Sequence, residues 1–245
     1  MYFIADGGLS TKNTLVNTKG AISLSVSNNL ISGISLNVAY TKDEVFVIVD
    51  RDSLMFTTNG SGYLEKNTYN DLLHFNVGTK VLNAKVVTLK EVLDIYSKSN
   101  KKLILNLDYQ GVRTNEYTYK LLDLISNYPN IDIYLKSFDE EIISILKNSN
   151  TKAKIGIIIN DNNLDEINNI YDFYVFNSYL INKDTYIEKI NLNREVMTDL
   201  INTGGELINF YYKYGEYTIN NLYIISDNTL SLMKDVNLIK NKSTI

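Results

Sequence analysis

Three aspartates close apolar, strand-like runs: Asp6 follows Tyr2-Phe3-Ile4-Ala5, Asp50 follows Val45-Phe46-Val47-Ile48-Val49, and Asp108 follows Leu103-Ile104-Leu105-Asn106-Leu107. Carboxylates gathered at strand ends can share a cation. They can also divide into a proton donor and a base, as in glycosidic-bond hydrolysis, because like charges push one partner's pKa up. The plainer reading is three solvated carboxylates with Lys12 and Arg51 to neutralise them. Tyr211, Tyr212 and Tyr214 offer aromatic faces for a sugar or glycerol moiety, or simply fill a core. Asn160-Asp161-Asn162-Asn163 is rich in oxygen but lacks the Gly and Glu spacing of a calcium loop, and reads as a helix N-cap. Lys136-Ser137 offers a cation beside a hydroxyl at another run's end, although a solvated Lys beside a structural Ser is the commoner outcome. The single histidine, His74, sits among Leu72, Leu73 and Phe75 and reads as a packing or surface residue; one imidazole cannot make a two-imidazole acid–base pair.

Positioning these groups falls to short β-rich runs that alternate with helical spacing. Residues 2–5, 34–40, 45–50, 103–108, 131–136, 154–160, 172–176, 206–212 and 222–226 read as strands. Residues 12–26, 68–75, 88–99, 115–127, 139–149, 162–169, 191–203 and 229–234 read as helices. Thr88-Leu89-Lys90-Glu91 is a capping box, and Gly204-Gly205 is expected to stop the 191–203 helix. Repeated strand–helix units over this length favour a TIM (β/α)₈ barrel in a single domain spanning 1–245, with one strand candidate in surplus. The surplus is expected within 34–50, where Thr41-Lys42-Asp43-Glu44 leaves no room for a crossover helix. Segment 51–85 is polar and long for a barrel connection, and is expected as a small excursion over the mouth. Gly7-Gly8 lacks the further glycines of a dinucleotide or phosphate loop.

Composition narrows the function classes. A net charge of -4 gives no basic face for nucleic acid or anionic membranes, and the absence of Cys excludes thiolate sites and disulfides. With 44% hydrophobic and 21% charged residues over 245, a sizeable core is available to a globular fold. The start has no basic, apolar leader, and no run of about 18 uncharged apolar residues occurs, so membrane insertion is not expected and the cytoplasm is the default expectation. Few Pro and Arg against abundant Asn, Lys, Ile and Tyr reads as AT-rich coding.

In the order of its motifs the chain resembles the glycerophosphodiester phosphodiesterase family. Phe3-Ile4-Ala5-Asp6-Gly7-Gly8 stands where that family has a strand ending in His-Arg-Gly, and Lys12-Asn13-Thr14 where it has Glu-Asn-Thr. Ile34 to Val38 matches its Glu-Leu-Asp-Val strand, Thr41-Lys42-Asp43 its Thr-Lys-Asp turn, and Asp50-Arg51 its His-Asp segment. Thr57-Thr58-Asn59-Gly60 is retained, followed in order by Thr88 to Leu93, Asn106-Leu107-Asp108, Lys136-Ser137-Phe138-Asp139 and Ile225-Ser226-Asp227.

The resemblance implies two His as acid and base, an Arg on phosphate, and three carboxylates holding a divalent cation. At the matching positions this chain has Asp6 and Asp50 for the two His, and Gly7 for the Arg. Ser35, Asn37 and Asn106 replace the metal carboxylates, and Asp108 replaces a Lys. Tyr211 stands near a Trp-containing strand end of the family. A hard dication prefers anionic oxygens, so no metal cofactor is expected, and carboxylates where the family has cations oppose a phosphodiester. The expectation is a catalytically inactive barrel that binds a polyol, sugar, glycerophosphate-like ligand, polymer fragment or protein partner. Its ligand candidates are Asp6, Asn37, Asp50, Asn106, Asp108, Lys136 and Tyr211. The alternative is a divergent phosphodiesterase or other hydrolase working through Asp6, Asp50 and Asp108.

Overall fold

The computed structural model describes residues 2–50, 53–77, 82–108, 114–159, 170–177, 184, 194–199, 201–214 and 222–242. Among the described residues there are nine strands: β1 (Tyr2–Asp6), β2 (Gly33–Tyr40), β3 (Phe46–Ile48), β4 (Lys102–Asn106), β5 (Ile133–Ser137), β6 (Lys154–Ile159), β7 (Phe173–Asn177), β8 (Glu195–Asp199) and β9 (Leu222–Ser226). Eight of them pair in parallel, and β1 bonds to both β2 and β9, so the sheet closes into a barrel. The surplus strand lies where the sequence placed it. β3 runs antiparallel to β2, with Val38 opposite Ile48, outside the closed ring.

Inward side chains form layers. Ile4, Ile104, Tyr134, Phe173, Val175, Met197 and Ile225 make one apolar cluster. Lys102, Lys154 and Glu195 stand at the starts of their strands and form the barrel floor around the Tyr134 hydroxyl. A larger shell packs the outer strand faces against helices, through residues such as Ile22, Val92, Leu93, Leu121, Ile142, Leu146, Leu207 and Leu232. The helix Leu89–Tyr96 begins at the expected capping box, with Thr88 Oγ1 accepting from Glu91 N and Glu91 returning a bond to Thr88 N.

Two expectations are corrected. Residues 206–212 are not a strand but part of the helix Gly204–Tyr214, and Gly204-Gly205 open that helix instead of stopping one. Within 191–203, residues Glu195–Asp199 form β8 instead of helix. The run Leu192, Val196, Met197 and Leu200 has helical spacing, yet Val196, Met197 and Thr198 are all buried, as befits a parallel strand covered on both faces. Aromatic and β-branched content made 206–212 resemble a strand, but Leu207 and Phe210, three apart, turn inward as on a helix. A signal was present: Thr203 and Glu206 form a further capping box, Glu206 N donating to Thr203 Oγ1 at 3.2 Å and Thr203 N to Glu206 Oε2 at 2.9 Å.

The helix read at 12–26 begins only at Lys19, capped by Thr18. The excursion is less loop-like than its polarity implies. Short helices Leu54–Thr57 and Tyr69–Leu72 set Leu54, Leu64 and Leu72 against Val47, Val49 and Val86 in a separate small core. Residues 160–163, the helix read at 162–169 and Arg51 lie outside the described residues. No described helix is long and apolar enough to cross a membrane.

Candidate functional site

The carboxyl ends of the barrel strands surround a cavity of about 380 Å³, where sites form in this architecture. β1 delivers Asp6, β2 Ser35 and Asn37, β4 Asn106 and then Asp108, β5 Lys136, and β8 Asp199. Asn37, Asn106 and Lys136 are consecutive neighbours across three strands, so the register alone sets them side by side. Asn202, Ser226 and Asp227 complete the opposite wall, the Asn202 amide donating to Ser226 Oγ and Asp227 Oδ1 at 2.8 Å each.

Most of these groups hold one another. Asn106 Nδ2 donates to Asn37 Oδ1 at 2.8 Å. Asp108 Oδ1 accepts from Ser137 Oγ at 2.8 Å and from Phe138 N at 3.0 Å. Asp50 is exposed at the rim, not in the cavity wall. It accepts from Asn17 Nδ2 at 2.7 Å and from Asn37 Nδ2 at 3.3 Å. Burial holds Asp6 above the ordinary carboxylate range; Lys136 and a hydrogen bond with Ser35 oppose this, and Asp50 and Asp199 reinforce it. Burial also raises Asp108, against bonds from Phe138, Ser137 and Asn106, and raises Asp199, against Lys136.

The remaining candidates disperse. Tyr211 belongs to the helix Gly204–Tyr214, not to a strand end, and neighbouring Tyr212 is exposed to solvent, so the reading of a stacking platform at a strand end is withdrawn. His74 is exposed on the excursion. Lys12 is exposed in the loop after β1. Asp199 was missed because its strand was read as helix; once β8 is recognised, its last residue joins Asp6 and Asp108 at the mouth. Thr57-Thr58-Asn59-Gly60 serves as a turn: Gly60 N donates to Thr58 Oγ1 at 2.9 Å and Asn76 N to Asn59 Oδ1 at 2.7 Å. A groove of about 500 Å³ lies on the flank between Asn13–Gly20 and 82–87, but the buried unpartnered polar atoms Asn106 Oδ1 and Asp199 Oδ1 belong to residues of the mouth.

Gly7 has φ +66°, and a Cβ there would lie 2.7 Å from Val16 Cβ and 3.0 Å from Asn17 Oδ1. A larger side chain at this position requires Val16 and Asn17 to move. Asn17 N donates to Gly7 O at 2.6 Å, and the Asn17 side chain holds Asp50.

Residues 10–204 match the model of the Glycerophosphoryl diester phosphodiesterase family. The chain belongs to this family. A glycerophosphodiester phosphodiesterase of Caldanaerobacter subterraneus is 25% identical over 160 residues, covering 60% of each chain. A phosphodiesterase of Oleispira antarctica, solved in complex with the product sn-glycerol-3-phosphate, superposes with a TM-score of 0.81 at 15% identity over 97% of both chains. The glycerophosphodiester phosphodiesterase of Thermotoga maritima gives 0.70 at 16% identity, covering 95% of this chain and 96% of that one. At such identities these likenesses establish the barrel fold alone. Probable polyketide synthase 38 of Dictyostelium discoideum is 27% identical over 129 residues, half of this chain but 4% of that protein. This chain thus spans a small fraction of the synthases and 60% of the Caldanaerobacter enzyme.

The divalent cation that the resemblance implies finds a poor donor set. Ser35 is hydrogen-bonded to Asp6, Asn37 Oδ1 is occupied by Asn106, and all three matching side chains are neutral. Among the described residues no three of His, Cys, Asp and Glu are spaced to hold a metal ion. The residues present do not fit that group.

Asp199 supports a stability test. Its Oδ1 is buried without a hydrogen-bond partner among the described residues, which costs about 1–3 kcal/mol. Because its folded pKa lies above its unfolded value, the folded state holds the proton more tightly. The wild type therefore loses stability as pH rises from the unfolded value through the folded one. Asp199→Asn is expected to raise Tm at pH 7 by about 2–4 °C, with a smaller gain at pH 4.5. Equal gains at both pH values would contradict this account.

Proposed function

We propose that this barrel is a catalytically inactive member of its family that binds a small polyol, sugar or polymer fragment at the strand-end cavity. The observation that carries the reading is the placement of Asp6 in the cavity and Asp50 at its rim, at the positions the resemblance assigns to two imidazoles, with His74 exposed on the excursion. Proton relay at a phosphodiester needs a group that titrates near neutrality beside the reacting oxygens, and a clamp of positive charge. Here four carboxyls of the wall, Asp6, Asp108, Asp199 and Asp227, face one Lys136, a balance that disfavours a phosphodiester anion. The Oleispira enzyme holds sn-glycerol-3-phosphate. A ligand that keeps the polyol and lacks the phosphate suits a cavity of the opposite sign.

A second reading is favoured by Asp108 and Asp199, which burial raises above the ordinary carboxylate range: carboxyls that hold a proton more tightly than usual could serve a divergent hydrolase as acids. One assay separates the two. The purified protein is given a panel of glycerophosphodiesters with Mg²⁺, Mn²⁺ or Ca²⁺ and with chelator, beside the Caldanaerobacter enzyme. No turnover above buffer is expected under any condition, and none is expected from Asp50→Ala. Hydrolysis that chelator or Asp50→Ala abolishes would sink the inactive reading.

A further inference from the structure

We infer that Lys136 supplies the barrel mouth with a fixed cation, making the cavity a metal-independent site for an uncharged polyhydroxy ligand. This rests on the binding reading above and names its ligand class and its anchor.

Lys136 is 6% exposed, yet no described residue hydrogen-bonds its ammonium and no described carboxylate lies within 4.0 Å of it. Lys101 and Lys102 behave differently: Lys102 is paired with Glu195, and Lys101 donates to the carbonyls of Ser25 and Asn28. A buried ammonium has three protons to place, and leaving them unplaced costs several kcal/mol. Among the described lining residues Lys136 is the only cation, and its field reaches Asp6 on β1, Asp108 after β4 and Asp199 on β8. One side chain thus balances carboxyls from three strands, the task a bound cation performs in a carboxylate site.

The unpartnered atoms define the ligand. Lys136 offers donors only, whereas the buried Asn106 Oδ1 and Asp199 Oδ1 offer acceptors only. An anion would satisfy Lys136 and be set against the four carboxyls of the wall, Asp6, Asp108, Asp199 and Asp227. An amine would satisfy the carboxyls and be set against Lys136. A hydroxyl both accepts and donates, so two or more hydroxyls on one small molecule can meet both kinds of group without importing charge. A volume of about 380 Å³ sits at the small end of ligand pockets, which suits a polyol or monosaccharide.

Calorimetry tests this in EDTA, with ribitol, myo-inositol and glucose as probes, and with inorganic phosphate, sn-glycerol 3-phosphate and ethanolamine as charged controls. Saturable binding of at least one uncharged probe is expected, unchanged when Mn²⁺ replaces EDTA, with the charged controls at least tenfold weaker. Lys136→Met is expected to weaken binding at least tenfold and Lys136→Arg less. Should Lys136→Met fail to fold by circular dichroism, Asn106→Ala, which keeps the lysine and removes an acceptor, is expected to lose about as much affinity. Binding that requires Mn²⁺, phosphate bound more tightly than every uncharged probe, no binding of any probe, or full affinity in both variants would each overturn the inference. Phosphodiester turnover by the same preparation would overturn the inactive reading and leave the calorimetric result on Lys136 standing.

Discussion

Glu195→Ala is expected to lower Tm by at least 6 °C. Glu195 enters at the base of β8 and meets Lys102 Nζ from both carboxylate oxygens at 3.2 Å, Lys154 Nζ at 3.4 Å and the Tyr134 hydroxyl at 3.2 Å. Lys102 Nζ also lies 4.3 Å from the centre of the Tyr134 ring and 5.0 Å from that of Tyr223. Burial and the nearby Glu195 hold the Tyr134 phenol well above its usual range, so it stays a donor. Four strands are tied at their starts through this one carboxylate. Removing it leaves two lysines facing each other across a phenol, with the Lys102 side chain only 13% exposed and only Asp132, at 3.7 Å, as a remaining carboxylate partner among the described residues. Breaking a buried pair from one side costs about 3–5 kcal/mol. Because Glu195 itself is 27% exposed, the low end, about 3 kcal/mol, applies here, and a domain of this size loses about 2–4 °C per kcal/mol. Glu195→Gln keeps a hydrogen-bond acceptor for Tyr134 and should lose roughly half as much. A change of less than about 2 °C for Glu195→Ala, read by thermal denaturation, would show that the floor is not a clamp.

Phe173→Ala is expected to cost about 3–5 kcal/mol, the ordinary range for emptying a buried aromatic site. Phe173 is fully buried, its ring edge-on to Tyr134 at 5.2 Å. It also explains a glycine. A Cβ on Gly156 would lie 2.4 Å from Phe173 Cζ, so the ring occupies the space a side chain on β6 would need. Gly156→Val alone should therefore be destabilising by about 1–3 kcal/mol through overpacking. Combined, the changes should compensate: the isopropyl group enters the space the ring vacates, and the double variant should be more stable than the sum of the single losses by at least about 1 kcal/mol. Additive losses in chemical denaturation would refute a shared site for the two side chains.

Local rules carried most of the architecture. Strand–helix alternation, the capping box at Thr88 and the tight connection at Thr41–Glu44 each act over a few residues, and each was readable in order. The surplus strand followed from chain length alone, since a parallel crossover cannot fit into four residues. Two consecutive elements went wrong together, where the apolar spacing around Val196 and Met197 mimicked a helix and the aromatics after Leu207 mimicked a strand. Both errors come from burial: a strand covered on both faces loses its alternation, and an outer helix can carry exposed aromatics such as Tyr212. The capping box at Thr203 would have corrected them.

The sequence by itself determined the barrel and the family order of motifs; Asp6 and Asp108 stand out because each closes a strand-like run, and Ser35, Asn37 and Asn106 because the resemblance places metal carboxylates at their positions. Only the tertiary structure decided which of them share a cavity. Strand register set Asn37, Asn106 and Lys136 side by side, and barrel closure brought Asp199 to Asp6 from the far end of the chain. The same closure left Asp50 at the rim and the helix carrying Tyr211 outside the ring of strands. Burial, and with it the raised carboxyls and a Lys136 ammonium without a hydrogen-bond partner among the described residues, is a property of the space between strands, which no stretch of neighbouring residues encodes.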